Sequence, residues 1–371
     1  MNATGFAYKK VIKPLLFRLS PDTAHAQVVR GLSLASNTPG IPQLVRQLHV
    51  RTHPELIQRW KGMTFSSPVG LSAGLDKNGR ISPMMQALGF GFAEVGSVTA
   101  QLCVGNPKPW FYRLPKSQSL VVHVGLANEG VEPIVGRLES YKQVGFPIVL
   151  SIARTNSQAA SGIKEGIQDY VASAKRAHRS PAIGMVELNI SCPNAYGGQT
   201  FTTPKLLTQL LDAIDAVGLS KPVFVKMPID LSWTQTAALM DVIVKHNITG
   251  VTMTNLTKQR SGLVLHDPLP DTVLGGLSGA PIRDLSTELI RKTYAHYGSQ
   301  LTIIGVGGIL SAEDAYEKIK AGATFVELVT GLIMNGPQFV EEVNKGLVRL
   351  MRADGYTHIS QAVGADVRLK P

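Results

Sequence analysis

Polar and glycine residues recur in this chain at the ends of short apolar runs. Ser72-Ala73-Gly74-Leu75-Asp76-Lys77 closes the first run, and Asn189-Ile190-Ser191-Cys192-Pro193-Asn194 closes the fourth. Lys226 lies within the fifth, Thr254-Asn255 ends the sixth, Gly305-Val306-Gly307-Gly308 the seventh and Thr330-Gly331 the eighth. Bare glycines ahead of a helix let backbone N–H groups approach a phosphate, and the helix start adds favourable partial charge. Gly307 and Gly308, matched by Thr330 and Gly331, therefore read as a phosphate cradle, with Gly275–Gly279 placed to line the same side. Lys226, set in Val223-Phe224-Val225-Lys226-Met227, either points into a lumen and needs an anionic partner or reaches a helix carboxylate. Cys192 is either an inert buried thiol or, at a strand end, a base or nucleophile.

The elements that must hold these groups follow from periodicity. The eight runs are Val69–Gly74, Phe92–Val98, Pro147–Ala153, Met185–Ser191, Val223–Met227, Gly250–Asn255, Leu301–Gly307 and Phe325–Gly331. Most are nearly continuously apolar, as strands covered on both faces are. Amphipathic stretches, among them Ile167–Arg179, Lys205–Val217, Thr234–His246 and Ala312–Ala321, alternate with them. The fold class expected is α/β, a (β/α)8 TIM barrel, whose recurrent phosphate site follows strands seven and eight. Six of the eight runs aim polar groups at one rim, which a small-molecule site explains and a scaffold does not. Residues 99–130 and 256–280 are long excursions expected to rise over that rim.

Residues 1–50 stand outside the repeat, dividing the chain into an N-terminal helical extension and a barrel over 51–371. Lys9–Leu19 and Asp22–Ser36 read as a helical hairpin split at Ser20-Pro21, where Ser20 caps and Pro21 opens the second helix. Nine cations against Asp22 and Glu55 place +7 of the net +11 in residues 1–61. That asymmetry suits an anionic membrane surface, or else a solvated basic face. Few aromatics interleave the cations, so nucleic acid is not the expected partner. No apolar stretch has transmembrane length and no signal peptide is visible. Cys103 and Cys192, the two cysteines, point to a reducing compartment and no disulfide framework. No metal site is expected.

These motifs, in this order, resemble the dihydroorotate dehydrogenases, specifically their membrane-associated, quinone-reducing class. The resemblance runs nearly end to end, through Leu19–His25, Ala73–Lys77, Gly105–Pro109 leading to Arg113-Leu114-Pro115, Asn189–Asn194, Lys226, Gly275–Gly279, Gly305–Gly308 and Ala362–Asp366. It implies an FMN-dependent enzyme: a base takes the C5 proton of a dihydropyrimidine, hydride leaves C6 for the flavin, and electrons pass to quinone. By position it assigns FMN binding to Ala73, Gly74, Lys77, Ser97, Ser151, Asn189, Lys226, Thr254, Gly279, Gly307, Gly308, Thr330 and Gly331. Lys226 also stabilises charge on the reduced ring, and Cys192 occupies the base position. Lys77, Asn189, Asn194 and Asn255 fall to the substrate, and His25 and Arg113 to the quinone tunnel. The location implied is peripheral, on the cytoplasmic face of a membrane, or cytoplasmic.

The chain also departs from the family pattern. Cysteine replaces the serine base typical of the membrane class. Val122, His123, Val124, Leu126 and Ala127 stand where the family has an Asn-Arg-aromatic-Gly-Phe-Asn loop over the substrate. Leu256 replaces a Ser or Thr, Ser151 an asparagine, and Val329 a tyrosine near the tunnel. Two lost hydrogen-bond partners, at about 1–3 kcal/mol each, would weaken orotate binding roughly 30-fold to 10⁴-fold. The flavin site is thus expected to be kept and the substrate site to be less polar, which sets an altered cyclic substrate ahead of dihydroorotate itself. A flavin-binding barrel without catalysis and a flavin-free phosphate-binding barrel are the remaining alternatives.

Overall fold

The computed structural model describes residues 3–141, 145–192 and 201–367. Eight parallel strands close into a barrel: β1 (Val69–Leu71), β2 (Phe92–Val98), β3 (Ile148–Ile152), β4 (Met185–Asn189), β5 (Val223–Lys226), β6 (Gly250–Met253), β7 (Thr302–Val306) and β8 (Phe325–Leu328). Their order around the barrel is the chain order, and β8 pairs with β1 to close it. Each strand is the apolar centre of one expected run, with the polar ends left as loops. The crossover helices bury one stripe against the strands, as in Ile163–Arg179, Pro204–Asp215 and Trp233–Ile243. The last of these starts on a capping box in which Ser232 and Gln235 satisfy each other's backbone N–H.

Side chains alternate along a strand, so every second residue enters the lumen. The lowest inward layer is aromatic: Phe92, Phe224 and Phe325 pack with Phe65, Met185 and Ile304, and Trp60 covers them from a short hairpin (Gln58–Trp60 with Met63–Phe65). This plug seals the N-terminal mouth. Gly70 is bare because a Cβ there would stand 2.2 Å from the Phe92 ring.

The N-terminal hairpin forms as expected. A helical stretch from Ala3 to Arg18, with a π-helical turn at Tyr8–Ile12, is followed by a helix over Pro21–Asn37. Ser20 accepts from the Thr23 N–H at 3.2 Å to cap that second helix. A third helix, Ile41–His49, was not anticipated; Gly40 at φ +83° and Pro42 start it, and it packs on the helix Ser82–Ala87. The two long excursions are not irregular either. Phe111–Leu114, Ser119–Val122 and Gly276–Leu277 pair antiparallel into a small sheet, so the loops after β2 and β6 roof the barrel together.

Candidate active site

Two residues above the aromatic plug the lumen turns charged. Glu94 on β2, Glu187 on β4, Lys226 on β5 and Glu327 on β8 are all at most 4% exposed. Lys226 Nζ lies 3.0 Å from Glu94 Oε2 and 3.5 Å from Glu187 Oε1. Burial alone would drive the ammonium down; the carboxyls of Glu187, Glu94 and Glu327 more than reverse it and hold Lys226 above its ordinary value. The sequence left open whether this lysine would point inward, and it does, onto carboxyls of the barrel itself.

Above that layer a cavity of about 500 Å3 opens, and one continuous wall contains most residues singled out from the sequence. At one end the loops after β7 and β8 supply Gly307, Gly308, Thr330 and Gly331, joined by Ser278 and Gly279. Gly308 has φ +72°, and a Cβ on it would stand 2.4 Å from that of Arg283, so only glycine leaves its backbone bare there. Ser278 Oγ and Thr330 Oγ1 lie 2.9 Å apart beside it. Bare backbone and paired hydroxyls give this end the donor set of a phosphate cradle.

Ala73, Gly74, Ser97, Asn189, Lys226 and Thr254 line the cavity floor, and Cys192 and Asn255 its rim. Asn189 Nδ2 donates to Ser97 Oγ at 2.7 Å, and its Oδ1 accepts from Ser191 Oγ at 2.8 Å. Asn255 donates to the same Ser191 Oγ at 2.8 Å, so one hydroxyl fixes both amides. Ser151 is placed differently from expectation. It sits behind Ser97, 2.9 Å between hydroxyl oxygens, and donates to Glu187 Oε1 at 3.0 Å instead of facing the cavity. Asn194 lies outside the described residues.

The far half of the cavity is apolar and is walled by the hairpin: Tyr8, Ile12, Leu16, Phe17, Val28 and Leu32 face Val329, Leu332 and Ile333. His25 and Arg113 are both on this wall. Arg113 donates to the Leu19 carbonyl at 3.0 Å and to Phe17 and Leu16 at 3.3 and 3.4 Å, capping the first helical stretch, and stacks over the Phe17 ring. His25 Nε2 is 3.4 Å from Lys77 Nζ. Burial, reinforced by Lys77, pushes the imidazole down to about 3, so it stands neutral. Burial lowers Lys77 to about 8, against the pull of Asp76 and Asp22. Asp22 also accepts from the Trp110 N–H at 3.1 Å, tying hairpin to roof.

Over Cys192 and Asn255 the wall consists of Val122, Val124, Gly125, Leu126, Ala127 and Leu256. Polar groups outside hold this segment in place. Asn128 donates to the Leu126 carbonyl at 2.8 Å and Asn156 to that of Gly125 at 2.9 Å, while Leu126 is held at φ +65°.

Glu94, Glu187 and Glu327 escaped the reading of the sequence. The signal was there, since each is a lone carboxylate inside an apolar strand: Phe-Ala-Glu94-Val, Val-Glu187-Leu and Val-Glu327-Leu. The same oddity had drawn attention to Lys226.

A family model described as dihydroorotate dehydrogenase matches residues 55–351. A dihydroorotate dehydrogenase (quinone) of Deinococcus deserti is 37% identical over 368 residues, covering 97% of this chain and 99% of the relative. One from Synechocystis is 35% identical over 377 residues, covering 97% of each. Among solved structures, the ligand-free dihydroorotate dehydrogenase of Eimeria tenella superposes with TM-score 0.82 at 28% identity, covering 94% of this chain and all of that one. The complex of the Eimeria tenella enzyme with ferulenol gives TM-score 0.79 at 27% identity, covering 94% and 96%.

Proposed function

The chain belongs to the dihydroorotate dehydrogenase family of oxidoreductases acting on CH–CH bonds, and we propose that it oxidises a dihydropyrimidine through bound FMN and delivers the electrons to a quinone. The observation that carries this reading is the single cavity joining a glycine phosphate cradle, a charged floor, a polar rim and an apolar tunnel. A bound redox group in the middle is then reached by a polar substrate from one side and an apolar acceptor from the other. FMN fits the residues present, because the glycines leave backbone bare for a phosphate and Lys226 offers a desolvated cation to the ring.

The flavin, when bound, supplies hydride acceptance and passes the electrons on. This chain does the rest. Gly307, Gly308, Gly279, Thr330 and Gly331 hold the phosphate, and Ala73, Gly74, Ser97, Asn189 and Thr254 bound the ring. Ser151 acts through Ser97. Cys192 takes the C5 proton, Asn189, Asn194 and Asn255 orient the substrate ring, and Lys77 pairs with its carboxylate. Lys226 offsets negative charge beside it. Residues 1–50 form the tunnel extension, with His25 and Arg113 on its wall.

Phe6, Val11, Ile12, Leu15 and Leu19 are exposed on the hairpin among Lys9, Lys10, Lys13 and Arg18. Among the described residues no helix is long and apolar enough to cross a membrane. The patch supports peripheral docking on an anionic bilayer, on the cytoplasmic face, where the quinone is dissolved.

Anaerobic titration tests the whole reading: dihydroorotate should bleach the bound flavin, and a short-chain quinone should restore its colour. A yellow protein that dihydroorotate leaves coloured, but another cyclic amide bleaches, would transfer the assignment to a less polar substrate. Val122 and Leu256 favour that second reading; the relatives, named for dihydroorotate, favour the first. No bleaching across a dihydropyrimidine panel would leave the barrel without catalysis.

A further inference from the structure

Among the described residues, the charges acting on Glu327 are those of Glu94 on β2, Glu187 on β4 and Lys226 on β5. Three carboxyls thus share one ammonium in a lumen closed below by the aromatic plug. The plug keeps water out from below, and a buried anion without a cation or a donor is strongly disfavoured. Hydrogen bonding shows which carboxyl takes the cation. Glu94 Oε2 meets Lys226 at 3.0 Å and also accepts from the Ala73 N–H at 2.7 Å. Glu187 Oε1 accepts from Ser151 and lies 3.5 Å from Lys226, and its carboxyl also meets Glu94 and the Thr252 hydroxyl. Neither oxygen of Glu327 has a hydrogen-bond partner, although the side chain is fully buried and lines the cavity.

A carboxylate can only accept, whereas a carboxylic acid carries an O–H to donate. Nothing in the wall around Glu327 donates to it, so the ionised form has no support there beyond Lys226, which Glu94 already engages. The acid form needs only an acceptor: the Glu94 carboxyl beside it offers one within the wall, and the cavity in front of it admits another. We propose that Glu327 stands in the cavity floor as a neutral acid that donates its O–H to an acceptor atom of the bound flavin ring, with Glu187 as a second neutral acid and Glu94–Lys226 as the charged pair. The donor half rests on the flavin reading above; the acid half does not.

The electrostatics agree with the geometry. Burial, then the charge of Glu94, raises Glu187 and Glu327 well above the usual carboxylate range, with Lys226 pulling the other way. Both acids therefore bind protons more tightly in the folded chain than in the unfolded one. Their contribution to stability is present in full below the ordinary carboxylate pKa and is lost as pH rises through the raised values.

Glu327→Gln tests both halves, because it keeps shape and an N–H donor while removing the titration. The wild-type apoprotein should show a protonated-carboxyl C=O stretch in its infrared spectrum at neutral pH, diminished in E327Q. Its unfolding constant should rise with pH more steeply than that of E327Q, the two slopes differing by about tenfold per pH unit across the window where Glu327 titrates. Wild-type affinity for FMN, followed by flavin fluorescence, should weaken with rising pH, and that of E327Q should weaken less.

An unaltered pH slope in E327Q, or no protonated-carboxyl band in wild type, overturns the acid. A reduced slope with an unchanged pH profile of FMN affinity overturns only the donor role. Failure of wild type to bind FMN would refute the flavin reading while the apoprotein slope still decides the acid. Should E327Q not fold, the wild-type infrared band still decides, and Glu187→Gln should remove one proton from the slope while leaving the FMN profile in place.

Discussion

The floor and the roof of the cavity are built on opposite principles. Below, Glu94, Glu187, Lys226 and Glu327 form a charged layer inside the barrel, on strands that hydrogen-bond to one another and cannot shift singly. Above, Val122, Val124, Leu126, Ala127 and Leu256 present an apolar face on loops held from behind by Asn128 and Asn156. In the proposed function the floor faces the flavin, and the roof faces whatever exchanges with it. Charge is tolerable in the floor because its partners come from four different strands at fixed register. A roof made of loops can change its chemistry residue by residue without disturbing the barrel.

Cys192 sits on the boundary, and changing it should have the largest effect. With Cys192→Ala, substrate-driven flavin bleaching in stopped flow should slow by about 10²–10⁴-fold, the usual contribution of a positioned base, while the protein stays yellow. Cys192→Ser should recover part of the rate. An unchanged rate in the alanine variant would move the base off the rim and leave floor and roof with no shared chemical group.

The floor itself is tested by Lys226→Met, which removes the ammonium and leaves three buried carboxyls facing one another. Breaking a buried pair in this way costs about 3–5 kcal/mol, read as a lower midpoint in urea unfolding of the apoprotein. The pH sign follows from Glu94. In wild type Lys226 holds it ionised, below its ordinary value, so that the pair's stability is present above the ordinary carboxylate pKa. Without the lysine Glu94 must take a proton to stay buried, so the deficit should be larger at neutral pH than in mild acid. A deficit equal at both would mean that the layer is held by packing and not by charge.

How much of this was legible follows the same division. The barrel, with polar and glycine residues at its strand ends, could be read because strand spacing is periodic and each element forms from its own residues; the direction of Lys226 could not. Gly276–Leu277 could not, since a two-residue strand has no alternation and exists only because Val122 and Val121 offer it an edge. Ser151 stands one layer behind the cavity; sequence position tells which way a side chain points but not that Ser97 stands in front of it. The glutamates of the floor were visible as isolated charges within apolar strands; that they share one lysine is a fact of closure, which brings β2, β4, β5 and β8 round to one axis.

Beside His25, Lys77 adds a titration of its own. Burial holds its ammonium down to about 8, so its charge is present below that pH and lost above it. If it pairs with a substrate carboxylate, KM for dihydroorotate should rise about tenfold per pH unit above that value. His25, pushed down to about 3, stays neutral throughout and adds no second step. A KM flat through the alkaline range would place the substrate's carboxylate elsewhere.

The smallest effect should come from the roof, and it is also the most discriminating. Val122→Asn and Leu256→Thr each put a polar group over Cys192 and Asn255 without touching the barrel. If the substrate is dihydroorotate, each new hydrogen bond is worth about 0.5–1.5 kcal/mol, which lowers KM by roughly two- to tenfold. If the apolar wall is matched to a less polar ring, the same changes bury an unsatisfied amide or hydroxyl against it, and KM for that substrate rises instead. FMN affinity should not move in either case, because neither residue belongs to the floor or the phosphate cradle. The sign of a few-fold change in KM, at constant flavin affinity, therefore decides whether the roof diverged together with its substrate or around an unchanged one.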